Sequence, residues 1–190
     1  PIFKIKNMHN FRYELNQIIN NISENQGKLI LNSIKEVSPA GIKKYSGEGS
    51  VNIDNNISFK KIMKIGAKWD RISGCYDNNY SEIFSKGLPY LENLKKKLSF
   101  SDSVSLVFLN YLSCDYDSHL LRKYGNEKAS KIKVKASVVK KMKNMKKMAI
   151  SMRKFDYYLK FFNFNPGTCA DLTVTTLLIS KIRDIFKFQI

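Results

Sequence analysis

Apolar residues return at intervals of three and four along nearly the whole chain, the spacing that builds one buried helical face. Phe11, Leu15, Ile18, Ile19 and Ile22 predict a helix over 9 to 22, and Leu29, Ile30, Ile34 and Val37 a second over about 25 to 37. That helix ends at Ser38-Pro39-Ala40-Gly41, because a proline biases the residue before it away from helix. From 41 to 57 glycines and scattered charge replace periodicity, so the stretch reads as a surface loop. Ser58 is placed to cap a helix carrying Ile62, Ile65, Trp69, Ile72 and Tyr76, with Asp70, Ser73 and Asp77 on the neighbouring face. By spacing alone Asp70 is a solvated or Arg-paired carboxylate. Ile83, Phe84, Leu88, Leu91 and Leu94 predict a helix over about 79 to 97, kinked or restarted at Pro89.

Ser99 and Asp102 have capping-box spacing ahead of Val104, Val107, Phe108, Tyr111 and Leu112, so Asp102 reads as a cap rather than a catalytic acid. The lysine-rich run from Lys128 to Lys147, around Ile132, Val134, Ala136, Val139, Met142 and Met145, predicts a helix, broken or unbroken, with a solvated basic face. Met152, Phe155, Tyr158, Leu159 and Phe162 predict a short helix leading to Asn165-Pro166-Gly167-Thr168-Cys169-Ala170-Asp171-Leu172-Thr173. There Asn165 suits an N-cap and Pro166 the first helical position. Val174, Leu177, Leu178, Ile182 and Ile185 predict the inward stripe of this last helix, which places Asp171, three residues before Val174, on the inward side as well. With nearly every segment helical, the fold class expected is all-α, a single helical domain of about seven to nine helices over residues 1–190.

Composition changes the picture in three ways. No run of about 18 apolar residues exists, so no membrane span is expected. Cys75, Cys114 and Cys169 are an odd number without CxxC spacing, which argues against a zinc site and a disulfide framework and fits a reducing, cytoplasmic setting. The chain starts at Pro1 with neither an initiator Met nor a signal-peptide pattern, and a fragment of a longer protein is expected. The formal charge of +17 raises nucleic acid as a partner. Of the 33 basic residues only five are Arg, the planar donor of base and phosphate recognition, and the abundance of Lys, Asn and Ile matches AT-rich codons. Nucleic acid is therefore not the partner expected first, and a polyphosphate would use the same field.

The candidate chemistry collects where carboxylates sit awkwardly. Asp115 and Asp117 follow the helix ending near Cys114, where the macrodipole and their mutual repulsion both disfavour negative charge. A cation, or Arg122 and Lys123, would relieve them. His119 alone reads as a packing or surface histidine. No Rossmann, P-loop, Ser-His-Asp or HExxH pattern is present.

These residues resemble the triphosphoribosyl-dephospho-CoA synthase family, including its archaeal-type members. The nine residues Asn165 to Thr173 are similar to the family's C-terminal Asn-Pro-Gly-[Thr/Gly]-x-Ala-Asp-Leu signature. Asp117-Ser118 followed by Arg122-Lys123-Tyr124-Gly125 is similar to its Asp-Thr, Arg-Lys and Gly pattern, with Ser118 in place of Thr. Asp70-Arg71-Ile72 with Tyr76 and Tyr80, then Gly87-Leu88-Pro89, match a third block, while Phe155-Asp156 and Pro39-Ala40-Gly41 fit more weakly. The family's N-terminal Thr-Pro-Lys-Pro-Gly segment and acidic/histidine motif have no counterpart. The chain is thus expected to be the C-terminal part of a longer synthase-like protein or a reduced relative.

The resemblance implies a transferase that moves the triphosphoribosyl group of ATP to the ribose 2′-hydroxyl of 3′-dephospho-CoA with release of adenine, in prosthetic-group precursor synthesis. Oxocarbenium character on the transferred sugar would call for carboxylates near the ring, an acid for adenine and a base for the hydroxyl. On this reading Asp117 and Asp171 bind magnesium or hold the ribose, and Asp70 is the candidate base. Arg122 and Lys123 contact phosphate, and Asn165, Gly167 and Thr168 form an anion site at a helix N-terminus. In the plainer account Asp171 caps its own helix and Asp117 pairs with Arg122. ATP and dephospho-CoA are the partners implied, Mg2+ follows from the ATP, and a homodimer is compatible. The alternatives are a relative acting on another nucleotide or cofactor precursor, a basic helical nucleic-acid-binding module, and a non-catalytic interaction protein.

Overall fold

The computed structural model describes residues 11–37 and 58–186, so the readings of Pro39-Ala40-Gly41 and of the loop from 41 to 57 lie outside the described residues. Within them the fold is all-α. Nine helices follow one another: α1 Phe11–Asn20, α2 Glu24–Val37, α3 Phe59–Gly66, α4 Arg71–Asp77, α5 Leu88–Lys95, α6 Phe100–Cys114, α7 Ser118–Lys140, α8 Met145–Phe161 and α9 Gly167–Phe186. They are distributed over two compact units, one made of the described residues up to Leu88 with those from Thr176, the other of Pro89–Thr175.

In the first unit, Phe59, Ile62 and Met63 of α3 form a buried cluster against Ile22, Leu31 and Tyr76. Gly27 of α2 allows the approach, since a Cβ there would stand 3.1 Å from that of Phe59. Ser58 caps α3 as expected, accepting from the Lys61 N–H. The single helix read across Ile62 to Tyr76 is two helices, and Trp69 lies exposed in the turn between them. The carboxylate of Asp70 explains the break. It accepts from the N–H groups of Ile72 and Ser73, both at 2.9 Å, and so begins a new helix that apolar spacing alone cannot reveal. Leu29, Ile30 and Val37, read as a buried stripe, are exposed.

Pro89 acts through the turn before it. Residues Glu82–Gly87 form a π-helical turn, in which the Leu88 N–H donates to the Ile83 carbonyl five residues back. The wider turn accommodates the proline ring and its missing donor, and the helix restarts as α5.

In the second unit, α6 packs along α7 and α7 along α8. Leu106, Val107, Leu109, Tyr111 and Leu112 of α6 are buried, as are Leu120, Ala129, Ile132, Ala136 and Val139 of α7. The Ser99 and Asp102 box is present, with the Asp102 N–H donating to Ser99 Oγ and the Ser99 hydroxyl donating to Asp102 Oδ2. The basic run is divided: α7 ends at Lys140, and Asn144 caps α8 by accepting from the Lys147 N–H. The short helix expected around Phe155 is thereby a long one, Met145–Phe161. Gly125 interrupts α7 with φ 79° and ψ 172°, a conformation essentially reserved to glycine.

The last helix is rotated from its expected orientation. Cys169, Leu172, Thr173, Thr176, Ile179 and Ser180 are buried, whereas Asp171, Val174, Leu178 and Ile185 are exposed. Hydroxyls disguise the buried face: Thr173 Oγ1 donates to the Cys169 carbonyl at 2.7 Å, leaving its methyl group to pack as an apolar one would. The inward placement of Asp171 is therefore corrected. No helix of the described residues is long and apolar enough to cross a membrane.

Candidate active site

Asp117 sits where two helices begin. It is the N-cap of α7, 1 % exposed, and its Oδ1 accepts from the Leu120 N–H at 2.9 Å. Its Oδ2 accepts from the Cys169 N–H at 2.7 Å, in the first turn of α9. A reciprocal bond closes the pair: Thr168 Oγ1, on α9, accepts from the His119 N–H of α7 at 3.1 Å. Orphan donors of two helix N-termini are thus satisfied by side chains from each other's first turns, and one carboxylate lies in the positive field of both. This resolves the awkwardness of Asp117 after α6, because it belongs electrostatically to the helix that follows. Asp115, the C-cap of α6, accepts the N–H of Tyr116 at 2.7 Å.

Chain entry into α9 depends on the end of α8. The Phe164 N–H donates to the Leu159 carbonyl and the Asn163 N–H to the Lys160 carbonyl, with Asn163 at φ 53°. These two bonds and the left-handed residue make a Schellman ending, which delivers Asn165 and Pro166 to the start of α9. The Tyr124 hydroxyl holds that turn by donating to the Asn163 carbonyl at 2.6 Å. The Pro166 carbonyl accepts the first helical bond, from the Ala170 N–H, so α9 starts one residue later than read. Gly167 is needed for space, since a Cβ there would stand 2.7 Å from His119 Nδ1.

The site residues read from the sequence are thus partly assembled. Asp117, Gly167 and Thr168 come together with Cys169 and His119, the last of which was read as an ordinary histidine. Asn165 is exposed beside them. Asp171 follows Cys169 by two residues, about 200° around the helix, and faces solvent. Arg122 and Lys123 are exposed on α7, the Lys123 ammonium 5.2 Å from the centre of the Tyr124 ring. Asp117 does not fit a divalent cation, because both its oxygens hold backbone N–H groups and two helix N-termini oppose positive charge there. Among the described residues no group of three or more His, Cys, Asp or Glu is arranged for a metal.

Asp70 belongs to the first unit, in a neighbourhood richer than its sequence showed. Arg71 pairs with Glu82 at 3.1 Å, both largely buried. Asn79 and Tyr80 are left-handed at φ 57° and 54°, the Arg12 Nε donates to the Asn79 carbonyl, and Asn79 Oδ1 is buried without a hydrogen-bond partner among the described residues. Burial pushes the Tyr80 hydroxyl well above its usual range, with Tyr76 adding to the effect, so it stays protonated. The Asn78-Asn79 pair was the available signal, since Asn tolerates the left-handed region. A tyrosine there is uncommon and gives no such cue.

The chain matches the CitG family, ATP:dephospho-CoA triphosphoribosyl transferase, over residues 2–189. No curated protein and no solved structure matches it.

Proposed function

We propose that this chain, which belongs to the ATP:dephospho-CoA triphosphoribosyl transferase family, works through the joined beginnings of α7 and α9. The single observation that carries this reading is the Asp117 carboxylate shared by the two helix starts, within the two motifs that bear the family's polar residues. The family's transfer places the triphosphoribosyl group of ATP on dephospho-CoA, and adenine leaves. Positive charge then develops at the anomeric carbon while the triphosphate keeps its negative charge, so the site needs a carboxylate for one and donors for the other.

Asp117 acts as a positioning residue, fixing the first turns of α7 and α9 relative to each other. Asp171, exposed on the first turn of α9, is the carboxylate for the reacting ribose or for the magnesium that accompanies the triphosphate. A single carboxylate suffices, because Mg2+ is commonly held by one or two carboxylates together with substrate phosphates. Arg122 and Lys123 neutralise phosphate charge. Asn165 supplies a polar group at the mouth of the helix start, while Gly167 and Thr168 keep His119 close to it. Asp70 is the candidate base for the acceptor hydroxyl.

Incubation with ATP, Mg2+ and dephospho-CoA, with released adenine measured by chromatography, tests the reading. Adenine appearing only when both substrates are present is the result expected, with Asp171→Asn lowering turnover about a hundredfold. Near-normal turnover in both Asp171→Asn and Asp117→Asn would overturn the residue roles.

A further inference from the structure

The end of α8 and the turn after it expose three large rings that the transferase reading does not use. Tyr157, Phe161 and Phe162 are 69 %, 68 % and 51 % exposed. They are ordered rather than scattered. Tyr157 and Phe161 stack with centroids 6.2 Å apart and planes inclined by 28°, Phe161 meets Phe162 edge-on at 5.0 Å, and Phe162 stacks on Phe164 at 5.8 Å and 22°. The run continues inward to Tyr124, whose ring meets that of Phe164 at 4.9 Å.

Lysines fringe this run. The ammonium groups of Lys123 and Lys128 lie 5.2 and 5.9 Å from the centre of the Tyr124 ring, and that of Lys135 lies 4.8 Å from the centre of Tyr158. Tyr158 in turn packs on Phe162 at 5.0 Å. Cations therefore cover the inner rings, while the outer ones present their surfaces to solvent. The complementary partner carries flat aromatic groups at regular intervals, linked by negative charge. We infer that this aromatic and lysine-fringed surface of α8 binds single-stranded nucleic acid, bases stacking on Tyr157, Phe161 and Phe162 and phosphates meeting the lysines.

The scarcity of arginine is consistent with this mode, since stacking reads no base edge and tolerates any sequence. A second copy of this chain would bring two lysine fringes together, at a formal charge of +17 each. An interfacial membrane helix separates its rings and lysines onto opposite faces, whereas here the ammonium groups lie over rings of the same run.

Fluorescence anisotropy of a labelled oligothymidylate of about 20 nucleotides, titrated with the whole chain between about 50 and 200 mM salt, tests the inference. Binding is expected to weaken as salt rises. Phe161→Ala and Phe162→Ala should each weaken it about tenfold at one salt concentration and leave the salt slope unaltered. Lys135→Gln should make the slope shallower. Circular dichroism and sedimentation of the variants should match the parent, because the altered rings are exposed. The inference is overturned by absence of binding at about 50 mM salt, or by ring variants that bind as the parent does, which would leave adsorption on lysines alone. It is equally overturned if the oligonucleotide stays free while phosphatidylserine vesicles bind, or if the ring substitutions convert a dimer to a monomer. Adenine release from ATP and dephospho-CoA is read separately, so failure here does not touch the transferase assignment.

Discussion

Asp117 and Cys169, 52 positions apart, are joined by a 2.7 Å hydrogen bond from the Cys169 N–H to Asp117 Oδ2, while the other oxygen of that carboxylate accepts from the Leu120 N–H. One side chain therefore satisfies a buried donor in each of two helices. Asp117→Asn keeps one acceptor oxygen and replaces the other by an amide nitrogen, which cannot accept from the second N–H. The unsatisfied donor should cost about 2 to 3 kcal/mol in urea unfolding, and Asp117→Ala should cost more. A variant as stable as the parent would show that the bond holds nothing.

The contact of Gly167 with His119 predicts a coupling. Gly167→Ala places a methyl group where His119 Nδ1 stands 2.7 Å away, so the ring must move. A loss of about 1 to 3 kcal/mol is expected, as in other overpacked sites. In His119→Ala the obstacle is gone, and the same substitution should then cost at least about 1 kcal/mol less. Additive losses in the double variant would place the strain elsewhere.

Gly125 has open space around it, so its importance is conformational alone. At φ 79° and ψ 172° an alanine should lower stability by about 1 to 3 kcal/mol although nothing collides with it. Thermal unfolding of Gly125→Ala checks this, and an unchanged midpoint would mean that α7 can run straight through the position.

The fold class was legible because apolar residues at helical spacing mark helices whichever face is finally buried. The faces themselves were less so. On α9 the stripe of Val174, Leu178 and Ile185 lies in solvent, while Thr173, Thr176 and Ser180 go inside. Apolar spacing treats a hydroxyl as polar, but Thr173 returns its proton to its own helix and buries a methyl group. At the site, the Asp117 and Asn165–Asp171 segments were visible as motifs. Their meeting was not, because a hydrogen bond between residues 52 apart leaves no local pattern. Asp117 read as a charge stranded behind α6 and proved to be the start of α7. Asp70 was missed as a cap for a related reason: Trp69 and Ile72 kept the periodicity running across the turn that it ends.

Burial sets a limit at alkaline pH. The Cys75 thiol is pushed from 9.0 up to about 12, chiefly by burial, with Glu82 adding to the shift, Arg71 opposing it and Asp70 adding a little. The folded state therefore keeps a proton that the unfolded state releases. Its contribution is fully present below about pH 9 and is lost as pH rises from there towards about 12, at about 1 kcal/mol per pH unit. Other groups titrate in the same range, so the measurement is the difference between parent and Cys75→Ala in urea unfolding at successive pH values. The parent should lose stability faster. Native thiol labelling should reach the exposed Cys114 and spare buried Cys75 and Cys169.

Asp70 combines two assignments that one pair of substitutions separates. As N-cap of α4 it accepts from Ile72 and Ser73, a task that asparagine performs about as well. As candidate base it must take a proton, which asparagine cannot do. Asp70→Asn should therefore unfold within about 0.5 kcal/mol of the parent and release adenine about a hundredfold more slowly. Asp70→Ala should lose about 1 kcal/mol of stability as well, through the cap. Full turnover in Asp70→Asn, alongside reduced stability in Asp70→Ala, would leave Asp70 as a cap alone and send the search for the base to Asp77 and Glu82, the carboxylates within three residues of the left-handed Asn79.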